Sequence, residues 1–113
     1  MANSVDSLNL YARIETMLEN REAVDTLYET YYRLLSEFSF DALLDIGCGG
    51  GAFLQGVRER FPSARLLGVD LSDEMARRTR LRGIDAIAVD VCDVAERFDA
   101  ATAVFDMLNY LPK

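Results

Sequence analysis

The chain has 113 residues, half of them hydrophobic, with nineteen acidic against twelve basic side chains and a formal net charge of −7. That length holds one domain with a core of modest size, and the acidic balance offers no overall attraction for nucleic acid or an anionic membrane surface. No histidine is present, which removes the commonest general base and every Ser-His or Cys-His pairing.

Met1 to Asp6 lack the basic start and apolar stretch of a signal peptide, and no apolar run reaches the length of a membrane span, so a cytoplasmic protein is expected. Cys48 and Cys92 have neither metal-ligand nor disulfide-framework spacing and read as reduced thiols. From Ser4 to Phe38, Val5, Leu8, Tyr11, Ile14 and Leu18, then Val24, Leu27, Tyr28, Tyr31, Leu34 and Leu35, recur at spacings of three and four. That period is helical. Asn20 and the pair Arg21-Glu22 mark a break, so two amphipathic helices are expected, with Glu15, Glu19, Glu22, Asp25 and Glu29 facing outward. The aromatic cluster of Tyr28, Tyr31, Tyr32, Phe38 and Phe40 reads as core rather than as a cap over a cofactor.

After Asp41 short apolar runs alternate with polar helical segments, the form of a βαβ series with a parallel sheet. Strands are expected over Ala42 to Ile46, Arg65 to Asp70, Ile84 to Val89 and Ala100 to Phe105. A helix over Ala52 to Arg60 follows the first strand. A second starts behind Ser72 as N-cap, with Asp73 and Glu74 in its first turn, and stops before Gly83. Val94 to Arg97 allows at most one further turn. The run Arg77-Arg78-Thr79-Arg80-Leu81-Arg82 lacks the interleaved aromatics of a nucleic-acid surface and reads as a solvated helix face with cations at its C-terminal end. The division at residue 41 separates an N-terminal helical segment, 1–40, from an α/β segment, 41–113.

Leu43-Leu44-Asp45-Ile46-Gly47-Cys48-Gly49-Gly50-Gly51 joins the first strand to the first crossover helix. Glycines there permit positive φ and close approach of backbone N–H groups to a ligand, in front of a helix N-terminus that favours an electron-rich group. Gly47-x-Gly49-x-x-Ala52 with Asp70 satisfies the loose dinucleotide pattern, so NAD fits the spacing. Three features favour another ligand. Asp45 is a carboxylate two residues before the first glycine, which suits an ammonium or sulfonium group and not a pyrophosphate. The third glycine, Gly51, falls one residue early for a dinucleotide. Asp90 adds a further acid just past a strand end, in the carboxyl-end crevice where open α/β sheets bind ligands.

Asp45 to Gly51, Gly68-Val69-Asp70-Leu71-Ser72 with Met75, and Asp90 resemble the successive motifs of class I S-adenosylmethionine-dependent methyltransferases, over about residues 41 to 111. The resemblance implies a Rossmann-like parallel sheet of which the first four strands are present, in the order 3-2-1-4. It implies that the glycine turn, with Gly47, Cys48, Gly49 and Gly51, holds the methionyl part of the cofactor, with Asp45 serving the amino group. Cys48 itself reads as a packing residue. Asp70 falls on the ribose-binding acid, with Leu71 and Met75 beside the nucleoside. Asp90 falls on the acceptor of the adenine amino group, with Val91 against the ring. Phe105 to Leu111 would border the reactive methyl and the substrate, with Phe105 in the cofactor set and Asp106, Asn109 and Tyr110 as candidates to orient or deprotonate a nucleophile. S-adenosyl-L-methionine is thus the implied cofactor, S-adenosyl-L-homocysteine the product, and a small molecule or protein the acceptor. No metal is implied.

The family's sheet has seven strands, so the sequence is expected to be the N-terminal half of a longer enzyme, or else to cover the apolar edge of its fourth strand by forming a homodimer. An NAD-dependent oxidoreductase and a non-catalytic cofactor-binding or dimerising module are the competing functional readings.

Overall fold

The computed structural model describes residues 21–104. The expected helix over Ser4 to Leu18 lies outside them, as does every residue from 105 onward. Helix α1 (Arg21–Leu35) has the amphipathic pattern its period predicts: Glu22, Asp25 and Glu29 are exposed, and Tyr32 and Leu35 are buried. Leu34 and Phe38 depart from the expected core and are 50% and 67% exposed. Phe38 lies beyond the end of the helix, and α1 packs mainly on one described neighbour, so only a single stripe of it is covered.

Strand β1 (Ala42–Ile46), helix α2 (Ala52–Arg60), β2 (Arg65–Val69), helix α3 (Asp73–Leu81), β3 (Asp85–Ile87), a 3-10 turn over Val91–Asp93 and β4 (Ala100–Thr102) follow in order. All strand pairs are parallel and the sheet order is β3-β2-β1-β4, as the family resemblance implied. Both crossover helices have the expected bounds. Ser72 caps α3, its side chain accepting from the Met75 N–H at 3.2 Å, and Gly83 takes φ 80° just past its end. The third strand is shorter than expected. Among the described residues it pairs only with β2, from Leu67↔Asp85 to Val69↔Ile87, and its ladder ends where β2 ends. The turn expected over Val94 to Arg97 lies earlier, at Val91–Asp93, because the Asp90 carboxylate caps it by accepting from the Cys92 N–H at 2.9 Å.

Alternation along the strands divides the core in two. Leu43 and Leu66 join Phe53, Leu54 and Val57 of α2 and Ala76 of α3 on one face. On the other, Leu44, Leu67 and Val69 meet Val91, Val94 and Phe98 of the β3–β4 connection. At the base of the sheet the Asp99 carboxylate accepts from the backbone N–H groups of Asp41 (2.9 Å) and Ala42 (2.8 Å), tying the start of β4 to that of β1. No helix among the described residues is long and apolar enough to cross a membrane.

Helix α1 is keyed to α2 through Tyr32. Its ring stacks on Phe53 at 5.1 Å, its hydroxyl donates to the Phe53 carbonyl at 3.0 Å, and the Arg60 guanidinium lies 4.1 Å from the ring centroid. Burial pushes the phenol up to about 12 against the opposing Arg60 charge, so it stays a donor throughout the ordinary pH range. The hydroxyl occupies the space where Gly56 lacks a Cβ. Gly56→Ala is expected to destabilise the chain by about 1–3 kcal/mol in denaturant titration, the usual cost of overpacking. The Asp99 carboxyl is held below its ordinary value of 3.8 by the two backbone donors. Its stabilisation is therefore complete above 3.8 and lost as pH falls through the lower folded value. Asp99→Ala should lower the melting midpoint at neutral pH and flatten its dependence on acid in that window.

Candidate functional site

The three candidate acids stand at or just past the carboxyl ends of β1, β2 and β3, where the sheet reverses direction between the β1-β2-β3 series and β4. Asp45 is 2% exposed. The parallel register sets it opposite Thr102, whose hydroxyl donates to its carboxylate at 2.8 Å. It does not cap the following helix: the N-cap of α2 is Gly51, with no side-chain hydrogen bond. Its charge also reaches Tyr28 of α1, whose phenol is raised first by burial and second by Asp45.

The glycine turn carries positive φ at Gly47 (72°), Gly49 (57°) and Gly51 (88°). These are left-handed values, which residues bearing a Cβ adopt only at a cost. The N–H groups of Gly47 and Cys48 both donate to the Val69 carbonyl, at 2.8 and 2.9 Å, pinning the turn to the end of β2. The Gly49 N–H donates to the Asp70 carboxylate at 2.9 Å. A Cβ on Gly49 would meet nothing within 4 Å, so the space before the turn is open.

Asp70 uses its other oxygen to accept from the Ser72 N–H, also at 2.9 Å. It therefore serves Ser72 in a local turn and bridges to the glycine turn at once. Each carboxylate oxygen has a second acceptor site, so ribose hydroxyls can add to this arrangement. Leu71 is 52% exposed beside it, and Met75 is half-buried one helical turn on. Asp90 is exposed, its carboxyl held below the ordinary range by the Cys92 N–H, and Val91 is half-buried against the Leu44 cluster. Phe105, Asp106, Asn109 and Tyr110 lie outside the described residues.

The arginine run corrects the expectation of a purely solvated face. Arg77 and Arg78 do pair with exposed Glu74, but Arg80 donates to the Ala86 carbonyl at 2.9 Å. Arg82 reaches back to the Gly50 carbonyl at 2.7 Å and also bonds Gln55. Within the same run Thr79 is fully buried and donates to the Gly49 carbonyl at 2.9 Å. Gly68, on β2 and part of the motif that ends at Ser72, makes room for the glycine turn: an added Cβ would lie 2.8 Å from Cys48 and 3.0 Å from Leu54. It lies opposite Asp45 in the parallel register of β1 and β2. Among the described residues no three His, Cys, Asp or Glu side chains are grouped to hold a metal ion.

A family model for a methyltransferase domain matches residues 43–113. The chain belongs to the class I S-adenosylmethionine-dependent methyltransferases. It is 36% identical over 91 residues to the trans-aconitate 2-methyltransferase of Acidovorax sp. (strain JS42), covering 76% of this chain and 32% of that protein. It is 39% identical over 70 residues to the isonocardicin synthase of Nocardia uniformis subsp. tsuyamanensis, covering 60% and 23%. The plantazolicin methyltransferase BpumL, solved in complex with SAH, superposes with a TM-score of 0.56 at 25% identity over 79% of this chain and 40% of that one. The chain thus spans about a third of the length of the curated relatives it matches. Membership of this family favours the sulfonium cofactor over the dinucleotide.

Neither cysteine of this methyltransferase chain is disulfide-bonded. Burial pushes the Cys48 thiol up to about 11 against the Thr79 hydrogen bond, while Cys92 is exposed and its thiol is raised by the Asp90 carboxylate. A raised value keeps the less nucleophilic thiol form. In the folded chain at pH 8, iodoacetamide should label Cys92 and leave Cys48 unmodified until denaturant is added, and Asp90→Asn should speed labelling of Cys92. Mass spectrometry of the two peptides reads both outcomes.

Proposed function

We propose that this chain holds the cofactor half of an S-adenosylmethionine-dependent methyltransferase that passes a methyl group to a small-molecule or protein acceptor. The carrying observation is the Asp70 carboxylate joined to the Gly49 N–H beneath an open glycine turn, with Asp45 and Asp90 at the flanking strand ends. The residues fit the group: two further acids, a bridging carboxylate with acceptor capacity to spare, and a turn without Cβ atoms toward the ligand. In this reading Asp45 attracts the cofactor's ammonium, and the turn of Gly47, Cys48, Gly49 and Gly51 receives the methionyl part. Asp70 accepts from the ribose hydroxyls, Leu71 and Met75 cover the nucleoside, and Asp90 and Val91 take the adenine. Phe105 completes the cofactor set.

When bound, the sulfonium supplies an already activated methyl, so the protein's task is largely to align acceptor and cofactor for in-line displacement. That task needs no imidazole, which agrees with a chain without histidine. Asp106, Asn109 and Tyr110 are proposed to orient or deprotonate the acceptor. Relatives named for trans-aconitate and plantazolicin methylation support an acceptor other than nucleic acid. Residues 41–113 then form the first half of the Rossmann-like domain, and residues 1–40 an N-terminal segment whose α1 packs on α2. The edge of β4 is where further strands of a longer sheet, or a second copy, would pair. Free cysteines suit a reducing, cytoplasmic setting.

S-adenosylhomocysteine should raise the thermal midpoint of the chain and NAD should not, since a ligand stabilises only the state that binds it. Stabilisation by NAD alone would sink the reading. In calorimetry Asp70→Ala is expected to weaken S-adenosylhomocysteine binding at least about tenfold, on the scale of lost charge-assisted hydrogen bonds. Asp106→Ala should change it little, and equal losses would count against the site assignment. Cofactor binding without turnover of any methyl acceptor by the full-length protein would favour the non-catalytic module.

A further inference from the structure

A turn with three left-handed glycines around Gly50 has many accessible conformations, and holding one of them costs entropy. Donors from α3 and from the residue that caps its C-terminal end hold its two central carbonyls from behind. Thr79 Oγ1 donates to the Gly49 carbonyl at 2.9 Å, and Arg82 Nε donates to the Gly50 carbonyl at 2.7 Å. A threonine inside a helix ordinarily returns its hydroxyl to the carbonyl four residues back. Thr79 instead sends it thirty residues away, from a position with no solvent exposure. The Cys48 thiol, kept protonated by burial, lies 3.5 Å from both the Thr79 hydroxyl and the Gly49 carbonyl, so it packs against the same anchor.

The peptide plane carries the effect forward. In a trans peptide the N–H and C=O are antiparallel, so anchoring the Gly49 carbonyl toward α3 aims the Gly50 N–H the opposite way. That N–H has no hydrogen-bond partner among the described residues. A Cβ on Gly51 would lie 2.9 Å from Thr79 Oγ1, so turn and helix are in direct contact.

We propose that Thr79, with Arg82 as a second brace, is a positioning residue for the methionyl end of the cofactor: it touches no ligand but sets the conformation in which the glycine turn offers its N–H donors. The proposal rests on the cofactor reading above. It assigns to α3 a share in binding that falls mainly on one end of the ligand, since among the described residues Leu71 and Asp90 make no hydrogen bond to the turn and Asp70, though bonded to the Gly49 N–H, is held independently by the Ser72 N–H.

The test compares S-adenosylhomocysteine with 5′-methylthioadenosine, which shares the nucleoside and lacks the amino-acid end, by calorimetry on wild-type, Thr79→Val, Thr79→Ser and Arg82→Leu chains. Thr79→Val is expected to weaken S-adenosylhomocysteine about five- to tenfold, the range of one lost hydrogen bond, and to leave 5′-methylthioadenosine within about twofold of wild type. Thr79→Ser should restore wild-type affinity. Arg82→Leu lies on the exposed surface and should show the same selective loss, which decides the matter if Thr79→Val fails to fold. Equal weakening of both ligands, or unchanged S-adenosylhomocysteine affinity in the folded variants, overturns the proposal. A wild-type chain that binds neither ligand overturns the cofactor reading and this proposal together, whereas wild-type binding with unaltered variants removes this proposal alone.

Discussion

Two backbone N–H groups, from loops that follow different strands, converge on the single carboxylate of Asp70. A parallel sheet leaves the loops at its carboxyl edge without ladder partners, so something must fix their spacing. Here one side chain spans the gap between the loop after β1 and the loop after β2. The Val69 carbonyl adds two further bonds to the same turn from the last residue of β2. The shape of the crevice therefore depends on the end of β2 as much as on the glycines that line it. An acid at that position stabilises the fold locally and remains available to a ligand, because its acceptor capacity exceeds the two donors it already serves.

Much of this was legible in the sequence. Apolar runs of four to six residues separated by capped helices located β1, α2 and α3 at their observed bounds, because Gly51, Ser72 and Gly83 each signal an end through local chemistry. The bounds of β3 were not legible: apart from Asp85 the stretch Ile84 to Val89 is apolar to its end, and what stops the strand is the end of its neighbour β2. Phe38 looked like core by composition, yet exposure depends on whether another element arrives to cover it.

The site divides the same way. Asp45, the glycines, Asp70 and Asp90 are readable because they lie at strand ends set by short-range pattern. The Thr102 partner of Asp45 depends on the register of β4 against β1, fifty-seven residues away, and the Thr79 contact depends on how α3 packs across the sheet. Thr79 and Arg82 sit in a run so rich in arginine that charge alone suggested a solvated face. Three of its members, Thr79, Arg80 and Arg82, instead satisfy carbonyls elsewhere in the chain. Long-range hydrogen bonds of this kind leave no periodic trace.

The fit of the Tyr32 hydroxyl over Gly56 has a consequence for how this sequence can change over time. The two positions behave as one character, since any side chain at 56 evicts the phenol and a smaller residue at 32 leaves a hole between two helices. Accepted substitutions should therefore arrive as matched pairs, and a homologue carrying alanine at 56 should have given up the tyrosine. Through that lock, a segment preceding the sheet is bound to the helix that follows the cofactor turn, and the two can be exchanged between relatives only together.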